Sequence, residues 1–244
     1  MKLRRSARVA FYTFSMYVVT HIVVFTLLPI GLIALTTDRK HSYKERIYQY
    51  KARFTDWLLK IVRKQLDIRG LDNIEEEKDY LIVSNYPSFY TGFILMKVFP
   101  KALIVVHAFI SRIPVLGRFM KRIGATFVDS KGPRSTREAI DKMLQEHKGK
   151  SIIIIPEGQR TNDGQIQRFK RGFVYILRNT SLDLLPVTLN GFYRLKPVNR
   201  KYVEPDAELE LIIHKPISNT VIRDMGDDEI IDMTMAIIGE SYRP

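Results

Sequence analysis

"IVSNYPSFYTGFIL", residues Ile82–Leu95, holds a change of period that decides the fold. It begins inside Tyr80–Ser84, an apolar run without alternation, the pattern of a strand covered on both faces. The chain then turns, and apolar residues resume at helical spacing over Tyr90–Val98. The same sequence of events recurs. Strands are predicted at Ala102–Val106, Ala125–Asp129, Ser151–Ile155, Leu184–Leu189 and Glu208–His214. Helices are predicted at Pro114–Ile123, Thr136–Glu146, Phe169–Leu177 and Asp228–Ile238. Ile- and Val-rich strands alternating with helices give an α/β fold, a mostly parallel sheet flanked by helices. Ligands in such sheets bind past the carboxyl ends of the strands. The loops after Ser84, Val106, Asp129 and Ile155 are therefore where a site is expected.

The rest of the composition narrows the function. With no cysteine, disulfides, thiolate nucleophiles and Cys-ligated zinc are excluded. Net charge is +13, and residues 1–70 carry 14 Lys/Arg against 4 Asp/Glu, so +10 of it lies at one end. That asymmetry suggests an anionic surface partner. Val9–Thr37 has no formally charged residue; as a straight helix it would reach about 43 Å at ~1.5 Å per residue, more than a bilayer core requires. Pro29 and Gly31 can break it, and Lys/Arg lie on both sides, so a re-entrant pair and a single crossing are both open. Next, Tyr43, Ile47, Tyr50, Phe54, Trp57 and Leu58 recur at helical steps among Lys44, Arg46, Lys51 and Arg53. Such a helix can lie at the headgroup level or pack on its own domain; the neighbouring apolar run favours the headgroups. The expected division is residues 1–66 as an N-terminal membrane segment and residues 67–244 as the α/β domain.

The loop after Ile155 reads "PEGQRTNDGQIQRFKRG". Glu157, Arg160, Lys170 and Arg171 cluster around glycines, a composition that suits a phosphate-bearing ligand. With its neighbours this loop completes an ordered set of blocks: "IRGLDNI" (Ile68–Ile74), "VSNYPSFYTGFIL", "IPVLGRFMKRIGATFVDS", "IIIIPEGQRTNDG…FKRG" and "LLPVTLNG" (Leu184–Gly191). In order and spacing these blocks resemble the lysophosphatidate acyltransferase family (1-acylglycerol-3-phosphate acyltransferases) over residues 68–191.

The resemblance implies acyl transfer from an acyl-CoA or acyl carrier protein thioester to a lysophospholipid hydroxyl, at the cytoplasmic face of the cell membrane, with no metal or organic cofactor. In the family a His and an Asp five residues apart form the catalytic dyad. Here those positions are Tyr86 and Thr91. A tyrosine with an ordinary pKa near 10 is a poor general base at neutral pH, and threonine has no charge with which to orient one. The family's phosphate-contacting Lys corresponds to His107, a possible substitute base, and the Arg ending the second block is Ser130. Retained, and implied to bind substrate, are Asn85, Ser88, Glu157, Gly158, Arg160, Lys170 and Arg171. Three readings follow: an acyltransferase with altered catalytic residues, an inactive homologue that binds lysophospholipid or acyl carrier, and a membrane-tethered nucleic-acid binder. The last finds no helix-turn-helix, aromatic RNP pattern or zinc spacing, so no nucleic-acid partner is expected.

Overall fold

The computed structural model describes residues 2–22, 43–61, 64–128, 132–147 and 149–244. Among the described residues seven strands form one sheet: β1 (Leu66–Arg69), β2 (Tyr80–Ser84), β3 (Leu103–His107), β4 (Thr126–Val128), β5 (Ile152–Ile154), β6 (Asp183–Asn190) and β7 (Leu209–Ile213). Their spatial order is β1-β7-β6-β2-β5-β3-β4. The five strands from β6 to β4 run parallel; β7 is antiparallel to β6, and β1 is parallel to β7.

β2 shows why its run lacks alternation. Every one of its five residues is buried. Tyr80 and Ile82 point into a core shared with Ile153 and Leu185, while Leu81 and Val83 point into a second core with Ile152, Ile154 and Leu184. Successive side chains leave opposite faces of a strand, so a strand between two apolar layers must be apolar throughout. The first core is covered by α3 (Thr91–Val98) and α4 (Leu116–Arg122). The second is covered by α5 (Pro133–Glu146), α6 (Gly172–Arg178) and α9 (Asp227–Glu240).

The predicted strand Tyr80–Ser84 is found at those bounds, and the other five predicted strands and five predicted helices are present with shifted ends. Strand β1 is the addition. In its LDIR sequence Leu66 and Ile68 pack on the first core while Asp67 and Arg69 face water, and four residues with one buried face are a faint signal. The helix predicted at Phe169 begins at Gly172, because residues before it are held extended by the Lys170 N–H donating to Pro156 O at 3.0 Å. Short helices α7 (Phe192–Leu195) and α8 (Asn219–Ile222) were not foreseen.

At the N-terminal end, α1 spans Lys2–Ile22 and α2 spans Tyr43–Ile61. Residues 23–42, which carry most of the uncharged run, lie outside the described residues. Among the described residues no helix is long and apolar enough to cross a membrane, so the membrane-embedded segment expected from sequence has no support in the described helices. One side of α2 belongs to the α/β domain: Ile47 is buried in the first core, the Thr55 hydroxyl donates to Phe93 O at 2.8 Å, and Asp56 pairs with Lys97 of α3. The side chains of Tyr50, Phe54, Trp57 and Leu58 lie outside the described set.

Candidate active site

The turn that follows β2 is built by side chains that bond backbone. Asn85 is buried; its Oδ1 accepts from Leu189 N at 2.9 Å and its Nδ2 donates to Leu189 O at 3.1 Å, tying the end of β2 to β6. Ser88 is also buried. Its Oγ accepts from Tyr90 N at 3.4 Å, and its carbonyl accepts from Thr91 N at 3.2 Å, which starts α3. Neither residue lines the cleft described below. Both shape the turn.

Tyr86 and Thr91, expected from sequence to stand at the dyad positions, are treated differently by the fold. The Tyr86 ring lines the cleft, and its phenol makes no hydrogen bond among the described residues. Burial pushes the phenol above its ordinary value, with the Arg160 guanidinium pulling the other way. Thr91, first residue of α3, is fully buried, and its Oγ1 has no hydrogen-bond partner among the described residues.

The loop after β5 is fastened to this turn through Glu157. That carboxylate is only 3% exposed. Oε1 accepts from Tyr86 N, and Oε2 accepts from Gln167 N at 2.8 Å. Burial pushes its pKa up to about 7 even though both amide bonds pull it down. Glu157 is not among the residues that line the cleft; it clamps the two loops from behind. A further bond, Thr161 N to Tyr86 O at 3.4 Å, runs alongside. Gly158 has φ +72°, and a Cβ there would come within 2.7 Å of Lys170 Nζ, so glycine both permits the left-handed turn and makes room for the lysine.

The three loop cations differ in availability. Arg160 and Lys170 line the cleft and form no ion pair with a carboxylate among the described residues. Arg171 also lines it, but its Nη2 sits 2.8 Å from Asp228 of α9. The acidic start of α9, predicted as a helix N-terminus, is therefore also an acceptor for Arg168, Arg171 and Arg178.

His107 ends β3 and lines the same cleft as Tyr86. Its Nδ1 accepts from Phe109 N at 3.1 Å. In a neutral ring that assigns the proton to Nε2, so the remaining nitrogen is a donor. A donor cannot remove a proton, which counts against His107 as the substitute base. Ser130 lies outside the described residues.

These loops enclose a cleft of about 1140 Å³ along the carboxyl ends of β2, β5 and β3. It has two arms. One, from the first core, is apolar: Phe93, Met96, Ile104, Ile113, Leu116 and Met120. The other, across the sheet, contains Thr136, Ile140 and Tyr175, with Arg137 stacked 4.9 Å over the Tyr175 ring. Sequence reading pointed to the polar loops and missed the apolar arm. Its members come from three separate segments and look like ordinary core until the sheet brings them together.

Comparison with known proteins now bears on this geometry. Residues 65–190 match the profile of the family described as Acyltransferase. The chain belongs to the acyltransferase family. The chloroplastic 1-acyl-sn-glycerol-3-phosphate acyltransferase BAT2 of Brassica napus is 30% identical over 153 residues, covering 62% of this chain and 44% of that protein. A 1-acyl-sn-glycerol-3-phosphate acyltransferase of Pseudomonas aeruginosa is 29% identical over 148 residues, covering 59% and 57%. The matched stretch thus spans about half the length of these relatives. The crystal structure of the 1-acyl-sn-glycerophosphate (LPA) acyltransferase PlsC from Thermotoga maritima superposes with a TM-score of 0.80 at 21% identity, covering 97% of this chain and 95% of the other. At that identity the likeness speaks for the fold alone. Every block quoted from Ile68 to Gly191, save the last residue, falls within the matched segment.

Proposed function

We propose that this acyltransferase-family protein acts on glycerophospholipids at a membrane, moving a fatty acyl group from an acyl-CoA or acyl carrier protein thioester to the hydroxyl of a lysophosphatidate-like acceptor. The observation that carries the reading is one cleft that joins an apolar arm to two cations without carboxylate partners, Arg160 and Lys170. The apolar arm suits an acyl chain, and the cations suit the acceptor's phosphate. The acceptor oxygen attacks the thioester carbon, the C–S bond breaks, and the hydroxyl proton leaves with the thiol or to water. Tyr86, neutral at physiological pH, can donate a hydrogen bond to the thioester oxygen but does not take that proton. A positioned base is worth about 10²- to 10⁴-fold in rate, so turnover rests on proximity and orientation.

A second reading is favoured by the unpartnered Thr91 Oγ1 and the raised pKa of the Tyr86 phenol: the protein binds lysophospholipid or acyl carrier without turnover. Membrane attachment through residues 1–66, with the domain of residues 67–244 on the cytoplasmic face, belongs to either reading. It is supported by the basic N-terminal end and by the uncharged run to Thr37. The test is acyl transfer by purified full chain across a panel of lysolipids, with Tyr86→His/Thr91→Asp in parallel. Turnover by wild type with a phosphate-bearing acceptor upholds the enzyme. Turnover by the double variant alone, with lysolipid still bound by wild type, upholds the binding reading. If wild type neither binds nor acylates a lysolipid, both fail.

A further inference from the structure

From Tyr80 to Val128 the chain carries six Lys or Arg and no Asp or Glu. Much of that charge lies on one lip of the cleft. The lip consists of the 3-10 turn Ala108–Arg112, which follows the carboxyl end of β3, and helix α4 behind it. Phe109 stands 59% exposed at the cleft edge. Arg112, Arg118, Lys121 and Arg122 are all exposed, and none of the four lines the cleft. Their side chains are open to solvent and do not line the cleft.

The topology sets two more exposed aromatic patches on the same edge. Phe89, 37% exposed, follows β2, which is parallel to β3's neighbour β5. The loop 191–208 leaves the carboxyl end of β6 and enters the antiparallel β7, so it too lies at that edge. Helix α1 is fastened to this loop: Val203 N donates to Thr13 Oγ1 at 3.0 Å, and Arg8 pairs with Asp206 at 2.6 Å. On α1, Phe11 and Phe14 are 56% and 71% exposed.

We infer that the lip Phe109–Arg122 is a membrane contact in its own right, pressing Phe109 into an anionic leaflet with its arginines and lysine at the phosphates, so that the cleft opens into the headgroup layer. Exposed aromatics beside cations are the chemistry of a bilayer interface. Exposed aromatics on three elements toward one edge, Phe109, Phe89 and the α1 pair Phe11 and Phe14, suit a bilayer better than the compact face of an acidic carrier protein. The apolar arm begins beside this lip, so an acyl chain could pass between leaflet and cleft without crossing water. The inference extends the proposed function, but docking is read separately from turnover.

The test uses the full chain with Phe109→Trp in a Trp57→Phe background, added to phosphatidylcholine vesicles with or without phosphatidylglycerol. The expected result is a blue shift of the introduced indole's emission and its quenching by bromine-labelled acyl chains, both requiring phosphatidylglycerol. Arg112→Gln/Arg118→Gln should raise the lipid concentration for half-maximal shift roughly 30-fold, from about fivefold per cation near an anionic surface. Circular dichroism of each variant checks that these exposed substitutions leave the fold intact. An emission unchanged by anionic vesicles that the chain nevertheless binds would overturn the inference and leave attachment to the N-terminal end. A shift with an acidic acyl carrier protein but not with vesicles would overturn it in favour of carrier docking. Loss of acyl transfer with the shift retained would strike the proposed function and leave the lip standing.

Discussion

Replacing Glu157 by glutamine should change how stability depends on pH, and the expected size follows from the burial of its carboxyl group. A free glutamate titrates near 4.5, and Glu157 in the fold near 7. The folded state therefore holds the proton more tightly than the unfolded chain does. Such a raised group contributes stability that is fully present below about pH 4.5 and is lost as pH climbs through about 7. The difference is about 3 kcal/mol at ~1.4 kcal/mol per pH unit. Because the carboxylate is buried, screening by solvent does not reduce it much.

Glutamine does not titrate. Its amide oxygen keeps one of the two backbone donors, Tyr86 N or Gln167 N, but its NH₂ faces the other. An unsatisfied buried donor costs about 1–3 kcal/mol. At pH 5 the wild type should therefore be the more stable by about that amount. By pH 8 it has lost about 3 kcal/mol that the variant never had, and the two should be level or reversed. Urea unfolding of full chain in one fixed detergent, at intervals from pH 5 to 8, reads both curves. A wild-type–variant difference that stays constant across that range would refute burial of Glu157 as a source of pH-dependent stability. A wild type that gains on the variant as pH rises would refute the sign.

Other side chains give sharper or smaller effects. Thr91→Val removes a buried hydroxyl that has no partner and keeps its shape, so it should leave stability unchanged or raise it by up to about 1 kcal/mol in thermal or urea unfolding; a loss would mean the hydroxyl has a role the geometry does not account for. Asn85→Ala should cost about 2–4 kcal/mol, because it strands both the N–H and the C=O of Leu189 inside the fold. Arg160→Gln and Lys170→Gln should each weaken binding of lysophosphatidate in mixed micelles roughly tenfold, with little effect on an acceptor lacking phosphate. Equal losses for both acceptors would show that the two cations do not hold the phosphate.

Much of the fold was legible because burial on two faces leaves a mark on composition. Tyr80–Ser84 and Ser151–Ile155 are apolar at every step or nearly so, and each sits between the two cores. Strand β1 was not legible, since two buried residues in four resemble a loop. The site was half legible. Charged residues around glycine in the loop after β5 suggested a phosphate-bearing ligand, and Arg160 and Lys170 do line the cleft. Three things were hidden in tertiary contacts: that Glu157 faces away from the cleft, that Asp228 occupies Arg171, and that His107 gives its Nδ1 to Phe109. Each depends on a partner distant in sequence or on the direction of one ring.

The pattern of retained and replaced residues has a physical reason. Asn85, Ser88, Glu157 and Gly158 all serve the backbone: they bond it, clamp it or allow it to turn. Changing any of them damages the loops themselves. The side chains of Tyr86 and Thr91 make no hydrogen bond among the described residues. Replacing either strands no backbone group, so the turn itself does not depend on their hydrogen bonding. Agreement with the family's blocks at these four positions therefore measures the scaffold, whereas the side chains of Tyr86 and Thr91 are held by burial and, among the described residues, not by hydrogen bonds. For that reason the decisive comparison is between wild type and Tyr86→His/Thr91→Asp within this one fold, where the clamp, the cations and the apolar arm are held constant and only the proton acceptor differs.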